Sequence, residues 1–245
     1  MIVYLADTSS SLRHRIPLDL LDGASILQSF YYCDEWTESI IPRLKRFMLD
    51  SGAFTFLSSG GVADWDSYVR KYAEFINRNS VTQFFELDID SLVGYEKVKY
   101  YRAMLEEQTG RKCIPVWHKS RGHDEFLRMC EEYDYVAIGG IVTKEITRKE
   151  HKIFPHFIGE AHKRGAKIHG LGFTTLASLP LYHFDSVDST SWVSGNRFGY
   201  MYRFKNGNME KVVSGNGRRL TNVTAAAQRN FIEWRRFGDY AERYL

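Results

Sequence analysis

The stretch Phe47-Met48-Leu49-Asp50-Ser51-Gly52-Ala53-Phe54 decides how this chain is read. Its apolar start reads as a buried strand, and the acid that ends it is followed by Ser-Gly, residue types that favour a tight turn. A second stretch near the other end, Phe184-Asp185-Ser186-Val187-Asp188-Ser189-Thr190, has the same grammar. Both put carboxylates where a parallel sheet opens toward solvent, which is where α/β folds carry ligands and chemistry. Two carboxylates facing one pocket can divide the labour of breaking a glycosidic bond, one attacking carbon and the other moving a proton.

Outward from these stretches, strand candidates fall at 2–5, 26–32, 46–50, 83–88, 113–117, 134–139, 167–172 and 184–188, with helical patterns between most of them. Asp64 is placed to cap a helix whose Trp65, Tyr68, Val69, Tyr72, Phe75 and Ile76 share one face, a stripe read as core. Helices are also expected over Val93 to Gln108, 123–132 and 144–164, the last bent at Pro155. Alternation of this kind argues for a parallel sheet covered by helices, and eight strands favour closure. The expected fold class is α/β, a (β/α)8 TIM-like barrel over about residues 1–195 within a single domain, 1–245. A hairpin at about 199–214, turning at Asn206-Gly207, and a C-terminal helix at about 225–244 are appended. In that helix Phe231, Trp234, Phe237 and Tyr240 pack while Arg229, Arg235, Arg236 and Arg243 stay solvated.

At 245 residues and 44% hydrophobic content the chain can bury a full core. No low-complexity stretch or linker divides it. The amino terminus lacks a basic start and a long apolar stretch, and no later run reaches membrane-spanning length, so a cytoplasmic protein without membrane attachment is expected. Cys33, Cys113 and Cys130 are odd in number and widely spaced, which suggests neither a disulfide framework nor a zinc site. The net charge of +3 permits a polyanionic partner without requiring one.

Four short motifs in order resemble the tRNA-guanine transglycosylases and their relatives that insert 7-deazaguanines into DNA. They are Asp50 to Phe54, Ala137-Ile138-Gly139-Gly140-Ile141, His169-Gly170-Leu171-Gly172 and Asp185-Ser186-Val187-Asp188-Ser189. Together they cover about residues 45–215, and in size the chain is nearest the compact bacteriophage members. The resemblance implies base exchange without a cofactor: a carboxylate attacks C1′ of a guanine nucleotide, guanine departs, and a 7-deazaguanine attacks the covalent sugar-enzyme intermediate. The implied partners are a nucleic acid, DNA ahead of tRNA, and the 7-deazaguanine base.

By residue, the family nucleophile falls on Asp188, with Asp185 taking that place if the alignment shifts, and Asp50 corresponds to the proton-handling acid/base. Phe54 and His169 would hold the two faces of the base. Guanine needs acceptors for its N1–H and amine, for which Asp88 or Asp90 is placed, and a donor for O6, for which the amides of Gly140 and Ile141 are placed. Where the family has a Gln this chain has Trp117 and His118, and the Cys-rich zinc subdomain of the tRNA enzymes is missing. That weakens the tRNA and dimer implications. Two other readings share the barrel: a glycosidase or nucleosidase that lets water finish the reaction, and a catalytically inert nucleic-acid-binding barrel that grips a flipped base. The histidines at 118 and 123, and at 151, 156 and 162, fit no compact metal-ligand spacing.

Overall fold

The computed structural model describes residues 1–7, 11–52, 55, 64–173, 175, 178–193, 200–213 and 222–245. The strands are β1 (Ile2–Asp7), β2 (Ser25–Ser29), β3 (Arg46–Asp50), β4 (Val116–Trp117), β5 (Tyr135–Ile138), β6 (Lys167–Gly170) and β7 (Ser186–Ser189). They form one seven-stranded sheet in the order β3-β2-β1-β7-β6-β5-β4, paired in parallel throughout. Strands such as Ile2-Val3-Tyr4-Leu5-Ala6 are apolar on both faces because both faces are covered.

The sheet curls through a 215° arc and stays open, with a 10 Å gap between its edge strands. This corrects the expected closed (β/α)8 TIM-like barrel. The shortfall lies at 83–88, which was to supply the eighth strand. Phe84 makes a single bridge to Leu49, and Phe85 a single bridge to Ile114. Side chains then take the backbone groups that would extend the pairing. Glu86 Oε1 accepts the amide of Val116 at 2.8 Å, and the Tyr72 hydroxyl sits 3.0 and 3.1 Å from the carbonyl oxygens of Leu49 and Phe85. The Val116 amide and the Phe85 carbonyl are thus satisfied by a side chain in place of a neighbouring strand, while the Leu49 carbonyl also accepts Phe85 N at 3.0 Å. The segment therefore crosses the gap as a seam, held by two backbone hydrogen bonds to Leu49 and two to Ile114, and the pairing stops after one bridge on each side. The transglycosylase family is built on the closed eight-stranded barrel, so the resemblance drawn from four short motifs is corrected with the fold.

Inside the curl, Tyr4, Leu27, Met48, Phe85, Ile114, Val116 and Ala137 form one apolar cluster. Period-two alternation sends Leu5, Ile26, Val136, Ile138, Ile168 and Val187 the other way, into the core shared with the helices. Those helices are α1 (Trp65–Arg78), α2 (Tyr95–Thr109), α3 (His123–Glu132), α4 (Phe154–Lys163) and α5 (Val223–Tyr244), with shorter turns between them. Asp64 caps α1 by accepting Ser67 N at 3.2 Å, and α2 stops at Gly110 in the left-handed region, φ +63°. Pro155 does not bend a long helix. A 3-10 stretch, Arg148–Ile153, precedes α4, and the proline stands in the first turn of α4, where its missing N–H costs no hydrogen bond.

Strands β8 (Tyr200–Lys205) and β9 (Asn208–Val213) form the separate hairpin, whose turn residues Asn206 and Gly207 both have positive φ, as a type I′ turn requires. Helix α5 packs on both β1 and β8. It also completes the hairpin's hydrogen bonding: Asn230 accepts Tyr202 N at 2.7 Å and Glu233 accepts Phe204 N at 2.7 Å. Arg235, expected to be solvated, donates to the carbonyls of Leu20 and Asp22. Among the described residues no helix is long and apolar enough to cross a membrane.

Candidate functional site

In a parallel sheet every strand ends on the same side, so the acids that close successive strands collect along one edge. Here that edge carries Asp50 at the end of β3, Asp88 and Asp90 after the seam, His118 after β4 and Asp188 in β7. Asp50 is half-buried and accepts Gly52 N at 3.0 Å. Only glycine fits that turn: Gly52 has φ +78°, and a Cβ there would lie 2.9 Å from Tyr31 Cβ. Burial pushes the Asp50 carboxyl up to about 7, and the charges of Asp88 and Asp188 add to the shift. Asp50 thus exchanges its proton near neutrality, and it senses both other acids.

Asp188 is buried, and its Oδ1 accepts two donors, the Gly172 amide and His169 Nε2 at 3.2 Å. Its Oδ2 has no hydrogen-bond partner among the described residues. Asp185 lies at the opposite, amino-terminal end of β7, where it accepts Ile168 N at 2.7 Å and pairs with His162 at 2.9 Å. The two acids of that motif therefore serve opposite ends of the sheet.

A second group adjoins the first. His118 Nε2 is 2.7 Å from Asp88 Oδ1, and Nδ1 is 2.8 Å from Glu145 Oε2. Burial works against charging this ring, but the hydrogen bonds to Asp88 and Glu145 outweigh it and raise His118 to about 9, so it is an imidazolium at neutral pH. The Gly139-Gly140 pair makes room for this contact. A Cβ on Gly139 would lie 2.9 Å from His118 Nε2, and one on Gly140 would lie 2.8 Å from Glu145 Oε2. Arg121, stacked 4.2 Å from the Tyr95 ring centroid, reaches Asp90 at 3.1 Å and Asp88 at 3.8 Å, and anchors on buried Glu86 at 3.0 Å. Glu86 also pairs with Arg102 at 2.6 Å.

Asp88, Asp90 and His118 present ligand atoms within 4.8 Å of one another. A cation there would have to displace the Arg121 guanidinium and the proton of His118.

The remaining expected residues fall in several places. His169 is fully buried beneath Asp188, with ring centroids 5.3 Å from Phe85 and 6.2 Å from Tyr4. Trp117 points the other way, into the helix-side core, with Nε1 donating to Gly122 O at 2.8 Å. Gly170 is pressed against Phe173 and Phe184, where a Cβ would meet both at 3.1 Å. Ile141 packs at the margin of the core. Phe54 lies outside the described residues. Glu145, Arg121 and Glu86 had not been singled out, and no spacing in the chain marks them, because each meets its partner from a different element.

The fold and this edge define a class: an open parallel α/β sheet bearing a carboxylate-rich site at its carboxyl-terminal edge. The chain matches no protein-family model and no curated protein. Exchange of guanine for a 7-deazaguanine by a pentosyltransferase, for DNA or tRNA modification, presumed the closed barrel and is corrected with it. The barrel glycosidase and the inert nucleic-acid-binding barrel rested on the same scaffold. The nucleic-acid and 7-deazaguanine partners lose the support of the resemblance that implied them.

Proposed function

We propose that the carboxyl-terminal edge is an acid–base site in which Asp50 exchanges a proton with a small bound ligand, held between Asp50, Asp88 and Asp188. One observation carries this reading. A half-buried carboxyl raised to about 7 faces two further acids, and a group that titrates at the working pH is what general acid–base chemistry uses. The ligand class follows from the charge. Five carboxyl groups, of Asp50, Asp88, Asp90, Glu145 and Asp188, against the His118 imidazolium and the Arg121 guanidinium favour a ligand rich in N–H donors or positively charged, such as an amine, an amidine or a protonated heterocycle. The Oδ2 of Asp188, without a partner among the described residues, supplies one acceptor, and the His118 imidazolium holds Asp88 in place.

Carboxyl-detected NMR titration of Asp50, with and without benzamidine and a diamine as probes, tests the reading. The expected result is a midpoint near 7 that falls when a cationic probe binds, with the Asp50→Asn protein losing probe affinity at least tenfold. An Asp50 that titrates in the ordinary carboxylate range and ignores every probe would overturn it.

A further inference from the structure

Beneath Asp188 runs a chain of buried polar groups that the acid–base reading leaves unused. Tyr135 Oη is 2.5 Å from Ser186 Oγ, Ser186 Oγ is 2.5 Å from His169 Nδ1, and His169 Nε2 is 3.2 Å from Asp188 Oδ1. Strand register brings them together. His169 stands opposite Ser186 across β6 and β7, and Tyr135, two residues before Ala137, which is paired with His169, points into the same interior. Ser186 and His169 are fully buried and Asp188 is 5% exposed, so water does not compete for the bonds of the ring, and Tyr135 at the far end is half-buried. Serine, histidine and aspartate in this order match the residue types of a nucleophilic triad, but a serine sealed beneath Tyr135 has no access to a substrate.

We infer that Tyr135 and Ser186 are positioning residues that lock the His169 ring in its neutral Nε2–H form, and that the ring thereby fixes one oxygen of Asp188, leaving the other for the ligand.

The proton inventory allows one self-consistent arrangement. Tyr135 donates to Ser186, Ser186 donates to Nδ1, and Nε2–H donates to Oδ1, so each donor has one acceptor. Burial raises the Tyr135 phenol to about 12, which keeps it a donor. In the reverse arrangement the Tyr135 proton would have no partner in the chain, and a bare Nε2 would face a carboxylate oxygen. Gly172 N donates to the same Oδ1, so both donors hold one side of the carboxylate. Fully satisfied buried networks of this kind specify a single geometry.

This inference deepens the acid–base reading of the site and rests on it for its purpose, but its test needs no ligand. Nitrogen-15 spectra of the free protein, labelled at histidine, report the tautomer directly. The expected signature is one protonated nitrogen, Nε2, and one bare nitrogen, Nδ1, near neutral pH. Ser186→Ala is expected to lose the single tautomer and give a mixed ring. Tyr135→Phe, which leaves the ring contacts intact but removes the donor that fixes the Ser186 hydroxyl, is expected to give a partly mixed ring. A wild-type ring protonated on Nδ1, or on both nitrogens, would overturn the inference even if the Asp50 titration succeeds. A failed Asp50 titration with the expected tautomer would overturn only the acid–base reading.

Discussion

Asp50 and His118 sit on one edge and both are raised, Asp50 by burial that disfavours its charge and His118 by partners that favour its charge, so both make the fold less stable as pH climbs. Asp50 rises from 3.8 to about 7, so the stability it contributes is full below 3.8 and is lost as pH climbs through 7, where the ionised form strains the site. Asp50→Asn is therefore expected to be more stable than wild type above pH 7, with the difference vanishing in acid. Urea midpoints across pH measure this, and a constant difference would contradict it. His118 rises from 6.5 to about 9 because its partners outweigh burial, so its contribution is full below 6.5 and is lost as pH passes 9. Gly139→Ala puts a methyl against that ring. It should cost about 1–3 kcal/mol through overpacking and should flatten the fall in stability between pH 6.5 and 9. A mutant that keeps the wild-type slope would show that the ring has not moved.

At the scale of elements, the appended hairpin depends on α5. Two strands alone are marginal in water, and here the helix both buries one face of β8 and accepts the amides of Tyr202 and Phe204 through Asn230 and Glu233. Asn222 starts the helix by accepting Ala225 N at 2.9 Å. Asn222→Ala is expected to cost about 1 kcal/mol, read by chemical denaturation, and to raise hydrogen exchange at Tyr202 and Phe204 as the first turn frays. Unchanged exchange in β8 would show that the cap does not govern the docking of the helix. Much of this level was legible beforehand: the Asn-Gly turn, the Asp64 cap and the Gly110 stop each rest on local chemistry that no neighbour overrides. Pro155 was misread because a proline in a first turn and one in a helix interior differ only in where the helix begins.

For the whole molecule, the seam is the weakest line. Segment 83–86 joins β3 and β4 through single bridges, supported by Tyr72 on one side and by Glu86 on the other. Tyr72→Phe removes the hydroxyl shared by the Leu49 and Phe85 carbonyls and should cost about 1–3 kcal/mol, since both acceptors are buried. Hydrogen–deuterium exchange is expected to show Leu49, Phe85, Glu86 and Ile114 opening before β1 and β7, and faster in the mutant. Equal protection across the sheet in both proteins would mean that the seam behaves as a continuous ladder. Because Asp50 and Asp88 lie on the two sides of this line, loosening it should also lower the Asp50 midpoint.

The sequence by itself determined the parallel α/β order, most strand positions and the acids that close the strands, because apolar runs and turn residues report local burial and local geometry. It also supplied Asp50, Asp88 and Asp188 as candidates, each visible at a strand end. Tertiary structure alone decided that 83–88 is a seam and not a strand, since that turns on the segment's own Glu86 carboxylate taking the Val116 amide and on a Tyr72 hydroxyl from α1 taking the Phe85 carbonyl. It decided likewise that Asp185 and Asp188 serve opposite ends of the sheet, that His169 lies under the site, and that Glu145 and Arg121 belong to it. Pairing between distant residues depends on how elements pack, and no single stretch of chain encodes that.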